Sequence, residues 1–297
     1  MSDTVQIYRS DERDARRKIF NPYADEDRKD KKLRKKEHPG EFNYARTGSN
    51  FSEIYEEAKS KNQIIIRRVY KPNIGLLIDG IDITYRLASY YLWWAYLRDT
   101  KISPVHELLI SCFQKSLISI YTAFDLTLQG LYGAARPHLR FAFESLMIAK
   151  FCSTNPSSEV FDKWIDGLQI YFANGVLKKI KSPNTDGFKE LWHVLSETTH
   201  SSIYGSQPDL ALKDAQKDID LNFALICLLS QWCYHLLGSH IITPSMRYHA
   251  NRYAKANTDK ITPGLRTKLR RVFKEQLVMV GKDTLLLLRA YRSKWVI

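Results

Sequence analysis

The strongest constraint on this chain is a helical period sustained through its middle. Ile74, Leu77, Ile78, Ile81, Tyr85, Ala88 and Leu92 recur at spacings of three and four and run into the aromatic block YYLWWAY. A second stripe, from Val105 through Leu108, Leu109, Cys112, Phe113, Ile120, Phe124 and Leu128 to Leu131, opens on Ser103-Pro104, a pair suited to a helix cap and first position. Further helices are expected over residues 137–151, 158–173, 188–199 and 221–237 and, after the Thr243-Pro244 break, over residues 263–292. Residues 64–70 (IIIRRVY) are β-branched and read as one isolated strand. No strand–helix alternation and no repeat of about 20–50 residues is visible, which excludes doubly wound sheets and solenoids. The fold expected is all-α, an antiparallel helical bundle with a charged N-terminal arm.

Charge divides the chain. Its 297 residues carry 45 basic and 32 acidic side chains, a net charge of +13. Residues 1–62 hold 15 basic and 13 acidic groups, including the cluster at 28–36, with few aliphatics; they read as an arm, partly disordered or in exposed helices. Residues 63–245 are nearly neutral and supply the bundle core. Residues 246–297 hold 13 basic groups against 3 acidic ones, so the surplus lies in the carboxyl-terminal segment.

Cys112, Cys152, Cys227 and Cys233 form no Cys-x-x-Cys pair and sit in apolar runs, as small core residues do in a reducing compartment. The N-terminus opens with mixed charges and no apolar run, so no secretory signal is expected. The longest apolar stretch, residues 221–242, is broken by Asn222, Gln231, His235 and His240 and reads as a buried helix. The expectation is a cytoplasmic protein without a membrane partner.

Three constellations carry potential chemistry. Arg140 and Glu144, four residues apart among Leu139, Phe141, Phe143 and Leu146, share a helical face. They read either as a paired ion network or as an electrostatic clamp with a general base. His193, Glu197 and His200 fall at i, i+4 and i+7. Glu197 and His200 have the Glu-x-x-His spacing of di-iron bundles, but no second such pair exists. A polar surface stripe or a hydrogen-bonded His200 competes with a single divalent ion there, and no metal or cofactor is assigned.

The arginine–glutamate helix (Arg136, Arg140, Glu144) followed by a Leu-Ser-x-x-x-His helix end (Leu195, Ser196, His200) resembles an uncharacterised family of prokaryotic helical proteins. The likeness spans residues 105–242. That resemblance implies a component of an antiphage defence or stress system. The bundle also resembles, distantly, the HEPN ribonucleases, whose Arg-x(4–6)-His motif is not reproduced: Arg98 to His106 is too long, Arg136 to His138 and Arg247 to His249 too short. A metal-independent ribonuclease or toxin would instead need His200 to meet Arg140 and Glu144 across helices.

The third constellation is carboxyl-terminal. Leu265, Leu269, Val272, Phe273, Leu277 and Val280 form an apolar stripe, while Arg266, Arg270 and Lys274 line another face, with Arg271 beside them. Arg247, Arg252, Lys255 and Lys260 extend the row upstream, interleaved with Tyr248 and Tyr253. Such a row can track nucleic-acid phosphates, RNA or DNA, without reading sequence. It can equally be a solvated face, or one neutralised by Glu53, Glu56 and Glu57. No Walker loop, Gly-x-Gly-x-x-Gly, Gly-x-Ser-x-Gly or His-Glu-x-x-His occurs. The functional expectation is nucleic-acid backbone binding through the basic segment, with the ribonuclease and a non-enzymatic assembly subunit, as homo-oligomer or with a protein partner, as alternatives.

Overall fold

A computed structural model describes residues 50–96, 102–180, 185–197, 216–244, 246–247 and 261–279. Among these the chain is all-α, with eight α-helices and two π-helical turns. The helices are α1 (Phe51–Val69), α2 (Lys71–Tyr96), α3 (Pro104–Leu128), α4 (Tyr132–Thr154), α5 (Glu159–Ile165), α6 (Thr185–Glu197), α7 (Gln216–Leu236) and α8 (Ile261–Met279). The π-helical turns are Phe172–Leu177 and Leu237–Ile241.

Local sequence sets most of these boundaries. Ser103 caps α3 as expected, its hydroxyl accepting from the His106 amide at 3.3 Å with Pro104 in the first turn. At its other end Leu131 N donates to Leu126 O (2.9 Å) and Gly130 N to Thr127 O (3.1 Å), a Schellman closure that puts Gly130 at φ +83°. Helix α4 begins at Tyr132, five residues before the expected start; Pro137 stands exposed in its second turn and removes a single backbone donor. The one helix expected over residues 158–173 is instead the short α5, an extended link and a π turn. Ser158 caps α5, and Gly167, at φ +65°, ends it with a second Schellman closure, Leu168 N to Lys163 O at 2.8 Å. Residues 280–292 of the expected last helix lie outside the described residues.

The strand expected at 64–70 is not present: those residues complete α1 and begin its junction with α2. Packing overrides their β-branched preference, because Ala58, Asn62, Ile66 and Tyr70, at four-residue steps, are all buried against the body. The change in composition near residue 62 therefore falls inside a packed helix.

Helix α7 is the centre of the bundle, touching α2, α3, α4 and α8. It runs antiparallel to α3, with Asn222 beside Thr127, and parallel to α4, with Asn222 beside Tyr132 and Trp232 beside Phe143. Trp232, 1% exposed, packs its ring 5.9 Å from Phe143 and 5.7 Å from Phe188, while Phe172 lies 5.8 Å from Phe143. This aromatic cluster joins α4, α6, α7 and the first π turn. The segment Asp218–Ile241 is long and apolar enough to cross a membrane, and 78% of its apolar window is buried inside the fold. All four cysteines are buried and unbridged. Burial pushes the thiol of Cys112 up to about 12 and that of Cys152 to about 11, so neither is poised as a thiolate.

Candidate functional site

Helix α8 lies antiparallel along α2. Its inward face is Leu269, Val272, Phe273 and Gln276, all buried. The Gln276 amide donates to the Leu76 carbonyl at 2.9 Å, and Phe273 meets Tyr234 of α7 edge-on at 5.9 Å. Gly80 permits this approach, since a Cβ there would stand 2.9 Å from Gln276 Nε2. The side chains of Leu277 and Val280 lie outside the described residues.

The outer face of α8 exposes Lys268, Arg270, Arg271 and Lys274. Carboxylates of the chain meet some of these: Lys268 Nζ is 3.2 Å from Asp79 Oδ2, and Arg271 Nε is 3.5 Å from Glu275 Oε1. Arg270 and Lys274, one turn apart, have no carboxylate partner among the described residues. Glu56 and Glu57 pair along α1 with Lys59 and Lys61.

Arg266 does not stand with this row. Its guanidinium turns inward, donating to the Tyr91 hydroxyl at 2.8 Å and lying 5.8 Å from that ring's centre. Burial raises the Tyr91 phenol above its ordinary value, and the nearby charges of Arg266 and Arg247 oppose that rise. Arg247 also donates to the Gly238 carbonyl at 2.6 Å, at the end of the α7 rod. Arg266 therefore seats on Tyr91 at one end of α8, and the exposed cations follow along it. Arg252, Lys255, Lys260, Tyr248 and Tyr253 lie outside the described residues.

The second candidate centre is on α4. Arg140 Nε donates to Glu144 Oε1 at 2.8 Å, and the side chains are 22% and 23% exposed. The Trp192 indole N–H of α6 donates to the same oxygen at 3.0 Å, and its ring lies 5.4 Å from the Arg140 guanidinium. The pair is thereby a tie between α4 and α6, with both charges engaged. His193 is exposed on α6; the Glu197 side chain and all of His200 lie outside the described residues, so the geometry joining His200 to Arg140 and Glu144 does too. Among the described residues no cluster of metal-ligating side chains occurs.

Arg136 belongs to a different network, and the sequence did not reveal it. Arg136 is buried, pairs with Asp218 of α7, and reaches Asn222 Oδ1 at 3.4 Å. Asn222 then donates to Thr127 Oγ1 (3.1 Å) and to the Tyr132 carbonyl (3.3 Å). Nearby, the Tyr70 hydroxyl donates to Asp220 at 3.1 Å, and burial raises that phenol's pKa. This network anchors the first turn of α7, as a buried charge requires.

Comparison with known proteins finds no match, whether among protein-family models, curated proteins or solved structures.

Proposed function

We propose that this protein binds the phosphate backbone of nucleic acid along the outer face of α8. The observation that carries this reading is the exposed cation row, in which Arg270 and Lys274 have no carboxylate partner among the described residues. Exposed cations at four-residue steps lie about 6 Å apart along a helix, close to the phosphate spacing of an extended single strand. Arg247, exposed beyond the other end of α8, adds one further cation to this surface. Such contacts give affinity and register without reading bases.

The test is fluorescence anisotropy with labelled single-stranded RNA and DNA across a salt series. The expected result is binding whose logarithm falls linearly with log salt. The double substitution Arg270→Glu and Lys274→Glu is expected to weaken it strongly and to reduce the salt slope by about 1.4–1.8, since each backbone contact contributes ~0.7–0.9. An unchanged affinity and slope in a double variant with wild-type circular dichroism would overturn the reading.

A further inference from the structure

Helix α8 is seated on the body by an apolar stripe, Leu269, Val272 and Phe273, all buried. Apolar contact is strong but non-directional, so a helix held by it alone is free to roll or slide in small steps. Two directional contacts flank this stripe, ten positions apart on α8. At one, the Arg266 guanidinium donates to the Tyr91 hydroxyl at 2.8 Å and lies 5.8 Å from the centre of that ring. At the other, the fully buried Gln276 donates to the Leu76 carbonyl at 2.9 Å, in the space that Gly80 leaves open. A slide of α8 would leave the Gln276 amide buried without its acceptor, which resists the movement. The remaining polar tie, Lys268 to Asp79, has side chains 45% and 43% exposed; water screens it, and it adds little direction.

The outer cations depend on this seating. Arg270 and Lys274 follow Arg266 by four and eight positions on the same rigid helix, so the roll that the Arg266 contact sets also sets where they point. A roll of one residue position is about 100°, enough to turn both from their outward direction toward the body. Tyr91, only 3% exposed, is out of reach of any ligand. By spacing Arg266 is the first member of the basic row, yet its contact with Tyr91 gives it another use.

We infer that Arg266 and Tyr91 are positioning residues for the α8 surface. The pair fixes the roll of α8 so that Arg270 and Lys274 face phosphates together, while Arg266 itself contacts none. The inference rests on the nucleic-acid reading for its ligand, but the roll is a property of the free protein and is measured without one.

Tyr91→Phe removes the hydroxyl and changes no charge. In the free protein, spin labels at Lys274→Cys on α8 and Gln114→Cys on α3, both exposed positions, report the seating of α8; the four native cysteines are buried, so the introduced pair takes the label. Double electron–electron resonance is expected to give one narrow distance distribution, broadened when Tyr91→Phe is added. In the anisotropy salt series with single-stranded RNA, and without the labels, Tyr91→Phe is expected to bind about three- to tenfold more weakly at an unchanged salt slope, because the competent roll is populated for only part of the time and the phosphate contacts it makes are the same. Arg266→Lys keeps the charge and lacks the fork; it is expected to lose as much, and the double variant no more than either single one. An unbroadened distribution in Tyr91→Phe overturns the inference. So does a Tyr91→Phe affinity equal to the wild type's, or a tighter one with a slope larger by ~0.7–0.9, the mark of Arg266 released to a phosphate. A wild type that binds no RNA overturns the nucleic-acid reading instead, and the distance distributions still decide the roll.

Discussion

At the scale of single residues, the Arg140–Glu144 pair shows how a local pattern acquires a distant purpose. The four-residue spacing was legible in the sequence, because i, i+4 neighbours meet on any helix. Trp192 was not legible as their partner: it lies 48 positions away, and only the docking of α6 on α4 brings its N–H to Glu144. Replacing Trp192 with Phe keeps a large ring over Arg140 and removes the donor to a half-buried carboxylate. The expected loss is about 1.5–3 kcal/mol of stability, the range for a hydrogen bond to a charged group. Urea denaturation checks it, with a double-mutant cycle against Glu144→Gln expected to show coupling.

Among elements, the turn between α3 and α4 is the most constrained point. Gly130 is in the left-handed region, and a Cβ there would stand 2.5 Å from Asn62 Nδ2 of α1. The same glycine thus closes a hairpin and receives the helix that precedes it. Gly130→Ala is expected to destabilise by about 2 kcal/mol or more, from the left-handed conformation and the displaced Asn62. Gly75→Ala, at a helical position with nothing within 4 Å, is expected to be neutral or to stabilise by up to ~1 kcal/mol. Thermal melting of the two variants side by side checks both signs. The sequence pointed to the helices of the core because their apolar period is strong. It misassigned residues 64–70 because their β-branched run favours a strand locally, whereas the burial of Ile66 and Tyr70 that keeps them helical comes from tertiary packing.

For the whole molecule, the end of the bundle where α3 begins and α7 finishes sets a pH dependence. His106 shares a hydrogen bond with the Ile241 backbone, and its pKa is lowered, chiefly by burial. The His240 pKa is lowered by burial and then by the charge of Lys150, whose own pKa burial lowers. Both imidazoles are thus favoured neutral in the folded chain, and the unfolded chain takes up their protons first as pH falls. Their contribution to stability is complete above the ordinary histidine pKa of ~6.5 and is lost as pH drops from there through the folded values. Melting temperature is expected to fall from about pH 6.5 downward, and less steeply in His240→Gln. Surplus charge at the carboxyl end was likewise legible from counting, but its partition was not: Arg266 meets Tyr91 across 175 positions, and Lys268 meets Asp79 across a similar span.

The central position of α7 also bears on how the chain is made. This helix receives α2, α3 and α4, yet it is encoded after all of them. On the ribosome, the apolar faces of the earlier helices emerge first and have no lid until residues beyond 236 clear the exit tunnel. The nascent chain therefore spends about ten seconds or more, at ordinary translation rates, as an open set of helices that a chaperone can hold.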